Sequence, residues 1–326
     1  MKVGVVVIGR NEGERLRQCL LSLIKETDHL VYVDSGSTDD SVNLALSLGA
    51  QVIELDLEIP FTAARARNKG FFSLLEANPE VEFVQFVDGD CEMISGWIER
   101  AQQELNNHSD VAIVCGRLRE RFPEHSVYNR LCDIEWNQPV GETKACGGIA
   151  MVRAAAFQQV KGFNLNLIAG EEPELCLRLR QEGWKIWRID AEMALHDAQM
   201  TKFGQWWKRS IRGGHAYAEG AWLHGKPPEY YYVKENRSIR FWGLIFPLLV
   251  CIVTGLTHGW GLLLFGVYIL LNYRIYNGKK QESFSHQDSF IYALFCILGK
   301  FPQAYGQTKF YVNQLLSQRE QLIEYK

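Results

Sequence analysis

Four short apolar runs separated by stretches of helical period constrain roughly the first 115 residues more tightly than any other feature of the chain. Residues 3–8 are β-branched and read as a buried strand. Residues 14–24 follow with Leu16, Leu20, Leu23 and Ile24 at helical spacing. Residues 30–33 form a second strand ending in Asp34, residues 41–48 a helix closed by Gly49, and residues 52–55 a third strand. A helix over 63–75 then leads to a fourth strand over 82–87. This alternation predicts a parallel sheet with crossover helices. Ligands on open α/β sheets bind beyond the carboxyl ends of the strands, and Asn11, Asp34 and Asp88 all sit just past such ends.

A second set of elements follows. Residues 111–116 read as a strand, 146–152 as another after Gly147 and Gly148, 173–182 as a short helix ended by Gly183, and 184–189 as a further apolar run. Residues 203–220 are amphipathic, basic and aromatic, with Trp206 and Trp207 suited to a membrane interface. The composition then changes, because residues 241–273 hold no Asp, Glu, Lys or Arg. One helix of that length would measure about 50 Å against a hydrocarbon core of about 30 Å. A break at Thr257-His258-Gly259 gives a hairpin instead, flanked by Arg237 and Arg240 before it and by Arg274, Lys279 and Lys280 after it. Basic flanks on both sides predict cytoplasmic ends. The alternatives to a spanning hairpin are one that dips into a single leaflet and, less in keeping with the basic flanks, a buried helix pair. The expected organisation is an α/β domain over 1–235 and a helical, hydrophobic, membrane-associated region over 236–326.

The net charge of −3 hides an asymmetry. Residues 1–199 carry 20 Lys+Arg against 31 Asp+Glu, a balance of −11, and residues 200–326 carry 15 against 7, a balance of +8. An acidic front repels nucleic acid unless a cation intervenes, so no nucleic-acid partner is expected, while a basic, aromatic-rich rear suits an anionic membrane surface. The eight cysteines are scattered with no C-x-x-C pair, which excludes zinc-finger spacing and predicts reduced, mostly buried thiols. The N-terminal VGVVVIG is shorter than a signal-peptide core and is followed by Arg10, Asn11 and Glu12, so the α/β domain is expected on the cytoplasmic side.

The fourth strand ends in Asp88-Gly89-Asp90. Two carboxylates flanking a glycine offer the hard oxygen ligands that Mg²⁺ or Mn²⁺ prefers, completed by water and substrate phosphates. Alone, the triplet also fits an ordinary turn. Asp90, at a strand end, is expected to be exposed. Other strand ends add polar turns: Ile8-Gly9-Arg10-Asn11-Glu12 after the first, and Val33 through Ser41 after the second. Ala64-Arg65-Ala66-Arg67-Asn68 brings cations to the same edge. Pro173 is favoured at a first helical position and pushes its predecessor out of the helical region, making Glu172 the expected N-cap at the positive end of a helix. His196, after the last strand of this half, reads equally as a ligand or a structural residue.

The ordered series I-G-R-N-E, V-D-S-G-S-T-D-D-S, A-R-A-R-N-K-G, V-D-G-D, G-G-I-A-M-V-R and G-E-E-P-E-L-C-L-R-L-R-Q-E-G-W resembles the family-2 glycosyltransferases of GT-A fold, over roughly residues 1–200. The resemblance implies a mixed α/β sheet flanked by helices, with inverting transfer of a sugar from a nucleotide-diphosphate sugar, assisted by Mg²⁺ or Mn²⁺. It places Asn11, Glu12, Asp34, Arg65, Asp88 and Gly148 on the donor side. Asp34 would contact the base, Arg65 the nucleotide, and Asp88 the ribose or metal-bound waters. Asp90 would ligate the metal and His196 complete the metal or diphosphate site. The family usually carries Glu-Asp before the helix, the Asp being the base. Here the match falls on Glu172, and the choice between Glu171 and Glu172 stays open.

The hydrophobic tail points to a glycan or lipid-linked acceptor at the cytoplasmic membrane face. Two rivals accompany this reading. A catalytically inactive GT-A module could serve as a membrane scaffold, although Asp88, Asp90 and Glu172 are intact. A sugar-phosphate nucleotidyltransferase would need a Gly-rich, Lys-containing N-terminal loop and would leave Glu172 without a task. The sugar, base, acceptor, linkage and oligomeric state are set by details that no motif here encodes.

Overall fold

The computed structural model describes residues 2–317, which pack as two compact units. One comprises residues 2–122 with Glu135–Ala198; the other comprises Pro123–Ile134 with the described residues from Gln199 on.

The first unit opens with β1 (Val3–Gly9), α1 (Glu14–Leu23), β2 (Leu30–Asp34), α2 (Ser41–Ser47), β3 (Gln51–Glu54), α3 (Ala63–Ala77) and β4 (Phe83–Asp88). These are the expected elements, shifted by a residue or two at their ends. β5 (Cys91–Met93), α4 (Trp97–Asn107) and β6 (Val111–Glu120) follow. After α5 (Val127–Trp136), most of which lies in the second unit, come β7 (Gly141–Thr143), β8 (Ala150–Arg153), α6 (Ala154–Gln159), α7 (Glu171–Gln181) and β9 (Lys185–His196). The sheet order is β3-β2-β1-β4-β8-β6-β9-β5, with β7 also on β9. β3, β2, β1 and β4 are parallel, β8 runs antiparallel to both β4 and β6, and β9 is parallel to β6. Central strands covered on both faces should read as continuous apolar runs, and Val3, Val5, Val6 and Val7 are fully buried. Beneath them Phe71, Phe86, Phe157 and Phe163 pack together, with Phe71 and Phe157 centroids 4.2 Å apart.

Three local expectations need correction. The strand expected over 146–152 begins only at Ala150, because residues 145–149 leave the sheet as a loop. The apolar run over 184–189 continues as strand to His196. The helix expected from Pro173 starts at Glu171, with Gly170 as N-cap in a left-handed conformation (φ 80°) and no side-chain cap. Pro173 is tolerated inside the first turn because N–H groups there have no intrahelical partner.

The second unit contains α8 (Phe203–His224), α9 (Val233–Arg240), α10 (Phe246–Leu256), α11 (Gly266–Gln281), α12 (His286–Leu298) and α13 (Lys300–Leu315). α9 and α10 are joined by a π-helical turn, Phe241–Ile245, into one 24-residue helix, Val233–Leu256. Pro247 follows that turn and has no N–H to give the carbonyl four residues back, which accounts for the wider winding. Among the described residues this is the one helix long and apolar enough to cross a membrane. The chain turns at Thr257-His258-Gly259, as expected, but continues as a 3₁₀ segment, Trp260–Phe265, before α11. α8 packs along α13, so by packing it lies in this second unit. Trp206 is likewise buried, its ring 4.9 Å from Phe295 and 6.4 Å from Tyr128, so it belongs to this unit's core and not to an interface. Residues 318–326 of the expected tail region lie outside the described residues.

Candidate active site

The loops leaving β1 and β2 are locked together by side chains. Asn11 sits at φ 55°, a left-handed conformation that Asn tolerates, and its Oδ1 accepts from the Thr38 N–H at 2.7 Å. Its own N–H donates to Ser37 Oγ at 2.9 Å, and Ser37 Oγ donates to Asp34 Oδ1 at 2.5 Å. Asp34 is 1% exposed. The Tyr32 hydroxyl also donates to its Oδ1, and the N–H groups of Gly36 and Ser37 donate to its Oδ2. Both oxygens are engaged within the protein, so in this arrangement Asp34 braces the loop that leaves β2. Glu12 forms an ion pair with Arg15 at 2.6 Å. Arg65 donates to the Ile59 carbonyl at 2.6 Å, on the more exposed side of the start of α3.

Two residues on, and therefore on the other side of α3, Arg67 is 2% exposed. Its Nη2 donates to Asp88 Oδ1 at 2.8 Å, and its Nη1 to Glu172 Oε1 at 2.9 Å and Glu171 Oε1 at 3.3 Å. Burial disfavours the guanidinium's charge, but Asp88, Glu172 and Glu171 outweigh it and raise its pKa. The motif drew attention to Arg65; the buried cation is Arg67. A signal was present in the sequence, because Arg67 lies among Ala64, Ala66, Gly70 and Phe71, and a charge on an apolar helix face requires partners.

Glu172 keeps 19% of its side chain exposed, whereas the side chain of Glu171 is 5% exposed. Burial first, then the Glu171 charge, pushes the Glu172 carboxyl up to about 7; Arg67 opposes the rise and Asp88 adds to it. Gly148 lies against this pair. A Cβ there would fall 2.1 Å from Arg67 Nη2 and 2.9 Å from Glu172 Oε1, so only glycine fits beside the cluster.

Asp90 is not exposed but 4% exposed, held inward as the chain turns from β4 into β5. The antiparallel register of β5 on β9 sets Cys91 opposite His196. Asp90 Oδ2 thereby comes 3.4 Å from His196 Nε2, and Cys91 Sγ 3.5 Å from Asp90 Oδ1. One ligand atom from each of the three lies within 4.8 Å of the others. The His196 Nδ1 is buried without a hydrogen-bond partner, 3.7 Å from Glu120 Oε2. One carboxylate and one imidazole fit a hard or borderline divalent ion whose other ligands come from outside the protein. Burial, with the charge of Asp88, drives the Cys91 thiol well above its ordinary pKa and leaves it neutral.

Residues 4–159 match the model of glycosyl transferase family 2, and residues 132–202 match that of the N-terminal domain of galactosyltransferase. A TPR repeat-containing protein of Synechococcus elongatus is 31% identical over 140 residues, 42% of this chain and 32% of that protein. The pre-mycofactocin glycosyltransferase of Mycobacterium tuberculosis is 27% identical over 235 residues, 66% of this chain and 46% of that one. The chain thus spans less than half the length of these relatives. Among solved structures, a mannosyltransferase from Pyrobaculum calidifontis in complex with GDP-Man and Mn²⁺ superposes with a TM-score of 0.62 at 15% identity, covering 94% of this chain and 87% of that one. Sheet order, ordered motifs and family match agree: residues 4–159 form a glycosyl transferase family 2 domain, and the sheet around it has the GT-A fold.

Proposed function

We propose that this protein transfers a sugar, with inversion, from a nucleotide-diphosphate sugar to a hydroxyl of a glycan or lipid-linked acceptor. The observation that carries this reading is Glu172: a partly exposed carboxylate at the start of α7, pushed up to about 7 and held by a buried arginine. A general base works best with a pKa near the operating pH. Glu172 takes the acceptor hydroxyl proton as that oxygen attacks the anomeric carbon from the face opposite the diphosphate. Glu171, more deeply buried on the same Nη1, supports the position of Glu172. Asp88 faces the donor side, where the loops of Asn11 and Asp34 offer a rigid rim to the nucleotide. Asp90 and His196 would hold Mg²⁺ or Mn²⁺, which would supply Lewis-acid assistance to the departing diphosphate. Gly148 lets the 145–149 loop close over the cluster.

The α/β domain works at the cytoplasmic face, and the second unit associates with the membrane. Support comes from the helix Val233–Leu256 and from Leu248, Ile252, Leu256, Trp260 and Leu263, all more than half exposed. A hydrolysis and binding screen of nucleotide sugars with Mn²⁺ tests the enzymatic reading. Metal-dependent release of the nucleoside diphosphate from one donor is expected, and no binding or turnover of any donor overturns it.

A further inference from the structure

The proposed donor and acceptor sides share one cation. Arg67 presents Nη2 to Asp88 and Nη1 to Glu172 and Glu171, and its remaining hydrogen-bonding nitrogen, Nε, is buried without a partner. The Phe163 ring lies 5.6 Å from its Cζ, and Gly148 closes the side nearest Nη2. The guanidinium therefore has little room to move except between its carboxylates. A fixed fork serving two partners makes each partner's hold depend on the other's charge.

We propose that Arg67 is a positioning residue that couples the donor side to the base, so that engaging Asp88 with a donor hands the guanidinium to Glu172. With the donor side empty, Asp88 draws part of the fork toward itself. When positive charge or donor contacts offset Asp88, the fork favours Glu172, orients its carboxylate and stabilises its ionised form. The base is armed when there is a sugar to transfer. Linkage requires the reciprocal effect: ionising Glu172 draws the fork from Asp88 and strengthens binding on the donor side. The charged and titratable groups around Glu172 are Arg67, Glu171 and Asp88, with the Cys146 thiol nearby and neutral. None of these but Arg67 bonds both sides.

This inference rests on the nucleotide-sugar reading, and the test separates the two. The full-length protein is titrated with UDP and with GDP, each with Mn²⁺, between pH 6 and pH 8, by calorimetry. Because the ligand's own phosphate titrates in this range, the quantity read is the ratio of wild-type to variant affinity at each pH. With Glu172→Gln, which cannot ionise, the ratio should rise about fivefold or more from pH 6 to pH 8, the lower end of ordinary coupling between sites. Arg67→Lys keeps the charge but loses the fork. Its ratio should rise in the same way, because the wild type alone gains affinity. A flat ratio for Glu172→Gln overturns the coupling. A rising ratio for Glu172→Gln with a flat one for Arg67→Lys shows coupling through space and overturns the role of Arg67. Circular dichroism of each variant confirms the fold, and Arg67→Gln replaces Arg67→Lys if the lysine variant is unfolded. If wild-type protein binds neither nucleotide, the nucleotide-sugar reading fails, and this inference with it.

Discussion

The sharpest consequence of the Arg67 cluster is a difference between two adjacent glycines. A Cβ on Gly147 meets nothing within 4 Å, whereas one on Gly148 would lie 2.1 Å from Arg67 Nη2, 2.9 Å from its Cζ and 2.9 Å from Glu172 Oε1. Long side chains usually swing aside at small cost. Arg67 is 2% exposed and bonded to three carboxylates, so displacing it breaks at least one charge-assisted hydrogen bond. Such a bond contributes about 1.5–3 kcal/mol. If the 145–149 loop retreats instead, the site opens by about an ångström, a misplacement that costs on the order of 10²-fold in rate. Gly148→Ala should therefore lower turnover about 10²-fold, lower thermal stability measurably, or do both. Gly147→Ala should do neither. Donor turnover and thermal unfolding of the two variants, measured side by side, decide the matter. Gly148→Ala behaving like Gly147→Ala would refute the packing of this loop on Arg67.

Further outcomes follow from the same geometry. Glu172→Gln should lower kcat by about 10²- to 10⁴-fold with donor affinity at pH 6 little changed, while Glu171→Gln should be milder; the reverse order moves the base by one residue. Wild-type turnover should fall as pH drops below about 7, because Glu172 is then protonated, and a pH-rate profile checks this. Stability runs the other way. A carboxyl whose folded pKa is raised favours the folded state while protonated and loses that contribution as pH rises from its unfolded value through about 7, so Glu172→Gln should melt higher than wild type at pH 8 and alike at pH 5. Asp90→Asn should abolish Mn²⁺- or Mg²⁺-dependent turnover and weaken Mn²⁺ binding in a direct titration; unchanged binding would remove Asp90 from the metal site. Serine at Leu248, Ile252 and Leu256 together should shift the protein from the membrane to the soluble fraction with its circular dichroism unchanged, and retention in the membrane would place the contact elsewhere.

The parallel half of the sheet was legible because its signals are local. Short runs rich in Val, Ile, Leu and aromatic residues, each followed within a few positions by Asn or Asp, define β1, β2 and β4 without knowledge of neighbours. β9 was read short because Asp190 and Glu192 interrupt its apolar character. They are exposed, while Ile189 and Met193 are buried, so the strand continues with its polar residues turned outward. β5 has three residues, too few for any period to show. Arg67 was quoted but underweighted because its partners lie 21, 104 and 105 positions away, and no local pattern reports a contact at that separation. Asp34 illustrates the opposite limit. Its position was legible, but the saturation of both its oxygens depends on the trajectory of the loop and could not be read from residue types.

Asp88-Gly89-Asp90 stands where the parallel and antiparallel parts of the sheet meet, and this explains why two carboxylates one residue apart do different work. β4, which ends in Asp88, is paired parallel to β1, so Asp88 leaves the sheet beside the start of α3 and meets Arg67. β5, which begins at Cys91, is paired antiparallel to β9, so Asp90 is carried to the far end of that strand and meets His196. The change of direction is made at Gly89, whose N–H donates to the Ile8 carbonyl at 2.8 Å. A Cβ at Gly89 would lie 3.2 Å from that same oxygen and 3.2 Å from Glu12 Cγ, tight against backbone that cannot move without disturbing β1. The triplet is thus a junction between strands, and its glycine is what allows one carboxylate to face the shared arginine while the other faces the histidine. Separation of the proposed metal ligand from the shared arginine follows from this divergence: Asp90 and Asp88 hang from one turn but on strands with different partners.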